Sequence, residues 1–297
     1  MKATEGTDGT DGASRMRVLI VGAAGQLGQA MVARLASDHT VTAWRRDDLD
    51  LTCHREVRER ILELAPAAVI NCSGYNNVDR AEHDQVAALD VNAFAVRTMA
   101  RAAAEVDAVL FQYSSDFVFS GAATTPYAEN DRPEPQGAYA QSKLVGEWMA
   151  ADAPRHYVLR VESLFGGPKR RSSIDRIVEA VRAGDAAPVF VDRVVSPSFV
   201  NDVVDASAHL LRTLPAFGVY HCVNTGHATW FEVGREIARV LGKTEASLKP
   251  VHVRDVPLPV ARPVFAALSN AKLARAGFVM PSWQDAIARY LSSMPAV

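Results

Sequence analysis

The sequence predicts an α/β protein, a doubly wound parallel sheet of Rossmann type with a smaller C-terminal substrate lobe. Three observations carry that prediction. Apolar runs of strand length alternate with amphipathic helical stretches from residue 16 to residue 115, the pattern that builds βαβ units. The first run ends in Gly22, Gly25 and Gly28 at G-x-x-G-x-x-G spacing, and helical periodicity follows at once. Past residue 225 the pattern changes to short amphipathic segments around a proline-rich stretch at 250–263. With 297 residues and 48% hydrophobic content, the chain can fill one large core, or one core and a smaller partner.

Met16 to Val21 reads as the first buried strand. Gly22 allows the turn after it, Gly25 has no β-carbon to hold a pyrophosphate off the backbone, and Gly28 lets helix and strand pack closely. Free N–H groups at the helix start then face phosphates, so a dinucleotide is the implied ligand. Thr40 to Trp44 is a second strand, and the residues after it sit beside the adenosine ribose. An acidic residue there marks NAD, whereas Arg45 and Arg46 suit a 2′-phosphate. NADPH is therefore the expected cofactor, with NADH the alternative if the arginines merely close a strand in solvent. Asp50, Leu51 and Thr52 precede a helix from Arg55 to about Leu64, with Thr52 as its N-cap. Ala67 to Gly74 is the next buried strand, and its small end residues Cys72, Ser73 and Gly74 let a dinucleotide lie across it. A helix carrying Val91 and Asn92 follows, then the strand Ala108 to Ser115, ending in hydroxyls.

Residues 116–138, rich in glycine, proline and acidic side chains, form a predicted loop. Tyr139 then opens a helix through Met149, in which Lys143 lies one turn on and shares the tyrosine's face. A phenol, an ammonium and the Ser115 hydroxyl at the end of a parallel strand are the parts of carbonyl reduction by hydride transfer. Tyr139 is the candidate proton donor, Lys143 would lower its pKa and hold the nicotinamide ribose, and Ser115 would bind the carbonyl oxygen. The competing reading of Ser115 is a strand-end hydroxyl bonded to backbone. His156 to Val161 reads as a further strand, 166–173 as a cationic loop, and Arg176 to Ala183 as a helix. Pro188 to Asp192 and Ser196 to Val200 are extended. A helix capped by Asn201 and Asp202 runs to about Leu214, Gly218 to Asn224 is the last core strand, and helical patterns cover Trp230–Leu241, Asn270–Ala276 and Trp283–Leu291.

Composition narrows the function. A net charge of −2 gives nucleic acid no partner surface, and neither a membrane-length apolar run nor a signal peptide is present in the sequence, so a cytoplasmic protein is expected. The three cysteines, Cys53, Cys72 and Cys222, form no C-x-x-C pair, and the eight histidines show no metal-binding spacing, so no metal is expected.

The motifs resemble the short-chain dehydrogenase/reductase superfamily, extended type, and within it the dTDP-4-dehydrorhamnose reductase family. Gly22-Ala-Ala-Gly-Gln-Leu-Gly28 resembles G-x-x-G-Q-L-G. Residues 71–82 resemble N-x-A-A-Y-T-x-V-D-x-A-E, and 114–121 resemble S-T-D-Y-V-F-D-G, with Ser115 at the family's threonine. Tyr139 and Lys143 match the catalytic pair; Ser196-Pro-Ser198, Asp202, Arg262-Pro263 and Leu268 match weaker downstream signatures. The resemblance implies cofactor contacts from Gly22, Gly25, Gln26, Leu27, Arg45, Arg46, Asp50, Leu51, Cys72, Ser73, Gly74, Tyr75, Asn92, Tyr139 and Lys143. It implies substrate contacts from Ser115, Asp116, Ser163 and Arg262, a nucleotide-sugar substrate, and allows a homodimer. Departures fall on the substrate side: R-T-S-W-V-Y is here Arg160-Val-Glu-Ser-Leu-Phe165, R-P-x-N-S-x-L is Arg262-Pro-Val-Phe-Ala-Ala-Leu268, and Phe117 lacks a tyrosine hydroxyl. Lys169, Arg170, Arg171 and Arg262 are candidates for a diphosphate.

The expected reaction is thus NADPH-dependent reduction of the 4-keto group of a nucleotide-linked deoxysugar. The alternatives are a non-catalytic NADP-binding subunit, resembling the β subunit of methionine adenosyltransferase, and a sugar-nucleotide epimerase or dehydratase. The expected layout is a tail over 1–15, an NADP-binding domain over 16–165 to which 201–224 return, and a substrate lobe from 166–200 and 225–297.

Overall fold

The computed structural model describes residues 15–295, so the tail expected over 1–15 lies, apart from Arg15, outside the described residues. The chain runs β1 (Arg17–Val21), α1 (Gln26–Leu35), β2 (Thr40–Trp44), α2 (His54–Leu64), β3 (Ala68–Asn71), α3 (Val78–Ala81), α4 (Gln85–Leu89), α5 (Ala95–Glu105), β4 (Val109–Ser115), α6 (Ala138–Ala150) and β5 (His156–Val161). Then come β6 (Leu164–Phe165), α7 (Ser173–Ala183), β7 (Ala187–Phe190), β8 (Val194–Val195), β9 (Ser198–Phe199), α8 (Val200–Thr213), β10 (Gly218–His221), β11 (Ala228–Thr229), α9 (Trp230–Val240), β12 (Leu248–Val251), α10 (Ala271–Arg275) and α11 (Trp283–Ser293). Among the described residues, no helix is long and apolar enough to cross a membrane.

Six strands form the main sheet in the order β10-β5-β4-β3-β1-β2, all parallel. Its central strands read as unbroken apolar runs because helices cover both faces. Along β1 the side chains alternate: Val18 and Ile20 join Met31 of α1 and Val203 of α8, while Leu19 and Val21 join Ile61 of α2 and Met99 of α5. With β2 on one side of β1 and β3 on the other, the winding reverses there. Open sheets of this kind bind ligands in the crevice at the carboxyl ends beside such a reversal.

The expected helix around Asn92 is broken. Between α4 and α5, residues Asp90–Phe94 form a π-helical turn, a form concentrated at functional sites. Two caps also differ from expectation. Cys53 is the N-cap of α2, while Thr52 bonds Asp50 Oδ1 through its hydroxyl at 2.9 Å. Phe199 is the N-cap of α8, and Asp202 is turned inward onto Asn224 at 2.6 Å and Arg289 at 2.7 Å.

A second core gathers Phe165, Ile177 of α7, Val189 of β7, Val233 and Ile237 of α9 and Leu291 of α11. Both α7 and α9 start with a reciprocal capping box, Ser172 with Asp175 and Thr229 with Glu232. The segment 225–297, expected wholly in this lobe, is divided. Leu273 of α10 and Met280 pack into the core of the main sheet, because their side chains complete its apolar cover beside β10. Parallel pairing of β6 with β9 returns the chain to the edge of the cleft and lays Leu164 against Ser198.

Candidate active site

The turn after β1 is a phosphate cradle built from backbone. Gly22 sits at φ +75°, where a β-carbon would lie 2.6 Å from the Ser73 nitrogen, and one on Gly28 would lie 2.3 Å from the Gly22 oxygen. Only glycine allows both approaches. The N–H groups of Gly22 and Ala23 donate to the Trp44 carbonyl at 2.9 and 3.0 Å, so the end of β2, with exposed Arg45 and Arg46 next in the chain, is tied to this turn. At Gly25, the N-cap of α1, no side chain caps the helix, and its first turn holds no acidic residue. Free N–H groups and an uncompensated positive helix end are the donor set that a dinucleotide pyrophosphate fits.

The other residues expected at the cofactor divide into two groups. Gln26 reaches across to the loop after β6, donating to the Gly166 carbonyl at 2.7 Å, whereas the Leu27 side chain is core. Asp50 accepts from Thr52, and Leu51 packs with the α2 and α5 core. Burial pushes the Cys72 thiol far up, which excludes a reactive thiolate. Ser73 bonds back to Asn71. Asn92, expected at the cofactor, makes its side-chain bonds inside the protein. It accepts from Tyr75 N–H at 2.8 Å and donates to the Tyr75 carbonyl at 3.0 Å and to Ser142 Oγ at 2.9 Å. The loop after β3 is thereby clamped to α6 at a point between Tyr139 and Lys143. The π turn makes this contact close, since a β-carbon on Gly146 would lie 2.1 Å from the Asn92 carbonyl oxygen.

At the start of α6, the Glu82 carboxylate accepts the Ala138 N–H at 2.6 Å and places negative charge on the helix N-terminus. Sequence reading gave Glu82 no role, since it stands 56 residues from Ala138 and nothing local marks the contact. Tyr139 and Lys143 are both buried. Lys143 Nζ donates to the Tyr113 carbonyl on β4 at 2.6 Å, and burial pulls its pKa down to about 8 against the pull of Glu147. Glu147 is gripped by Arg160 of β5 through two bonds, 2.9 and 2.7 Å. Burial pushes the Tyr139 phenol up, the charge of Asp116 pushes the same way, and the Ser115 hydroxyl opposes both. The expected lowering by Lys143 is absent here, because its ammonium is directed at the Tyr113 carbonyl.

Ser115 shows the backbone bond expected of a strand-end hydroxyl. Its Oγ accepts the Phe117 N–H at 3.3 Å as a cap and donates to Asp116 Oδ1 at 2.8 Å. Asp116 is buried, and desolvation lifts its pKa to about 6 although Arg193 pulls it down. Ser163 lies in the left-handed region at φ +44°. Arg262 pairs with Asp79 at 2.6 Å and stands over the Phe117 ring, which meets Tyr139 edge-on. That pairing holds the guanidinium beside the Phe117 ring. Lys169, Arg170 and Arg171 are exposed.

Two cavities lie in this part of the molecule, neither lined by Ser115, Tyr139 or Lys143. One, of about 580 Å³, is lined by Gly167, Arg170, Phe199, Asn201 and Tyr290. The other, of about 370 Å³ in the smaller lobe, is lined by Arg176, Ile177, Pro188, Phe190, Arg193 and Trp230. Arg176 and Arg193 were not singled out in the sequence, since nothing local marks an arginine as cavity-facing.

Comparison with known proteins follows this geometry. The family model described as RmlD substrate binding domain matches residues 16–295. A probable dTDP-4,6-dihydroxy-2-methyloxan-3-one 4-ketoreductase of Streptomyces antibioticus is 34% identical, the match covering 92% of this chain and 93% of the relative. A dTDP-4-dehydrorhamnose reductase of Streptomyces griseus is 32% identical over 95% and 94%. The crystal structure of the dTDP-4-dehydrorhamnose reductase from Bacillus anthracis in complex with NADP superposes with a TM-score of 0.89 at 28% identity, over 94% of this chain and 100% of that one.

Proposed function

The chain belongs to the RmlD substrate-binding-domain family of extended short-chain dehydrogenases/reductases, and from that premise we propose that it reduces the 4-keto group of a dTDP-linked deoxysugar with NADPH. It is an NADPH-dependent sugar-nucleotide 4-ketoreductase. The observation that carries the reading is the joining of a glycine phosphate cradle, through Ser73, Tyr75, Asn92 and Ser142, to the buried pair Tyr139 and Lys143.

NADPH, when bound, supplies the hydride. The protein's own part is to bind, orient and protonate. Backbone N–H groups at the start of α1 hold the pyrophosphate, and Arg45 and Arg46 meet the 2′-phosphate. Ser115 would swing its hydroxyl proton from Asp116 Oδ1 to the sugar's carbonyl oxygen, and Tyr139 would give that oxygen its proton as negative charge builds there. Lys143 would hold the nicotinamide ribose. Arg176 and Arg193 support a reading in which the lobe cavity takes the substrate's nucleotide, since two cations beside an apolar wall suit a base joined to a diphosphate.

The test follows NADPH absorbance with a panel of nucleotide-linked 4-keto sugars. Turnover with dTDP-linked 4-keto-6-deoxysugars is the expected result. NADPH binding without oxidation across the panel would place the chain with non-catalytic nucleotide-binding subunits instead.

A further inference from the structure

The backbone of Tyr139 is held on both sides from the stretch of chain that passes the phosphate cradle. That stretch runs from the end of β3 to Glu82, the C-cap of α3. At Ser73 it lies so close to the turn after β1 that a β-carbon on Gly22 would stand 2.6 Å from the Ser73 nitrogen. Two hydrogen-bonded arms lead from it to α6. In the first, Glu82 Oε1 accepts the N–H of Ala138, the residue before the tyrosine, at 2.6 Å. The N-cap of α6, Gly137, has no side chain to do this, and at φ +86° a β-carbon on it would lie 2.6 Å from the same oxygen. In the second, Asn92 holds both backbone groups of Tyr75 and donates to Ser142 Oγ at 2.9 Å, and that hydroxyl donates to the Tyr139 carbonyl at 2.7 Å. Asn92 and Ser142 are both buried. A serine or aspartate at 137 would cap α6 locally. The cap comes instead from a residue 56 positions away, on the chain beside the cradle.

We propose that Glu82 and Ser142 are positioning residues for the reduction: they bracket Tyr139 from the chain beside the cradle, so that the phenol is set against the same backbone that carries the dinucleotide. Fixing the peptide groups on either side of Tyr139 fixes the direction in which its side chain leaves the helix, and with it the place of the phenol oxygen. Lys143 is set separately, by its bond to the Tyr113 carbonyl of β4. Losing either arm therefore moves the proton donor while the glycine turn and the Asn92 bonds to Tyr75 stay in place. A small misplacement of a reacting group costs rate steeply. The inference rests on the reductase reading for its kinetic consequence but not for the bracket itself.

The experiment compares Ser142→Ala, Glu82→Ala and Glu82→Gln with the unaltered chain, in turnover of NADPH with a dTDP-linked 4-keto sugar and in NADPH binding. Each alanine variant loses about tenfold in kcat, the scale of one lost hydrogen bond, while sugar KM and NADPH affinity stay within about twofold. Glu82→Gln, which keeps an acceptor oxygen for the Ala138 N–H, recovers most of the loss. Alanine variants that turn over like the unaltered chain, a loss of NADPH affinity as large as the loss of kcat, or a Glu82→Gln no faster than Glu82→Ala overturns the inference. An unaltered chain that oxidises no NADPH with any 4-keto sugar overturns the reductase reading instead. Hydrogen exchange of the backbone over 138–143 then decides the bracket: faster exchange in both alanine variants supports it, and exchange equal to that of the unaltered chain overturns it.

Discussion

At the start of α1, recognition is left to backbone: three glycines, an uncapped helix end and the carbonyl of Trp44, with no buried charge among them. Some strands away, at the ends of β4 and β5, the same cleft is made of buried ionisable side chains, with Asp116, Tyr139, Lys143 and Glu162 each shifted by desolvation before anything else. The difference teaches how the labour is divided. A diphosphate is recognised by fixed dipoles that need no side chain, whereas proton delivery rests on side chains, and here burial tightens the phenol's hold on its proton and loosens the ammonium's.

The sharpest way to break this comparison is Tyr139→Phe. Removing the phenol oxygen is expected to lower kcat by about 10²- to 10⁴-fold while leaving NADPH affinity within about twofold, because the cradle's contacts are backbone. Steady-state kinetics with a binding titration reads both. Equal losses in both would merge the two ends into one. On the cradle side, Gly28→Ala drives a β-carbon to 2.3 Å from the Gly22 oxygen, and overpacking of that kind costs about 1–3 kcal/mol. Chemical denaturation is expected to show that loss together with weakened NADPH binding.

The legibility of the two ends differs for the same physical reason. Gly22, Gly25 and Gly28 act within one turn of chain, so their spacing states their role, and the strand end at Ser115 follows from its apolar run, whereas the strand expected to reach Gly74 ends at Asn71. Tyr139 and Lys143 share a helix face and were equally readable. The group formed by Asp116, Glu162 and Arg193 was not, because three segments distant in sequence are brought together by the β6–β9 pairing. The same holds for the Asn92 amide, whose bonds to Tyr75 and Ser142 no local pattern marked. Asp202, read as a cap, instead bonds Arg289 from the far end of the chain. Local pattern marks backbone chemistry; it does not mark which buried polar groups meet.

Two smaller effects sharpen the contrast. Asp116 holds its proton more tightly in the folded chain, at about 6, than its ordinary value of 3.8. The folded state therefore binds more protons between those values, and stability from this group, full below 3.8, is lost as pH rises through about 6. Asp116→Asn is accordingly expected to raise stability above pH 6, by on the order of 1–3 kcal/mol, with no gain near pH 4. Denaturation midpoints across that range measure it, and an equal gain at both ends would remove burial as the cause. Arg45→Asp with Arg46→Asp should weaken NADPH by about tenfold and NADH little, the scale of one charge-assisted contact to a phosphate. Equal effects on both cofactors would leave the arginines as surface residues.

The most direct measurement is NADPH oxidation by the purified chain mixed with dTDP-4-dehydro-6-deoxy-L-mannose and related dTDP-linked 4-keto sugars. Loss of NADPH matched by formation of one C4 alcohol per cofactor, and abolished in Tyr139→Phe, is the predicted result. NADPH bound but unconsumed with every sugar, or consumed equally fast by Tyr139→Phe, would contradict it.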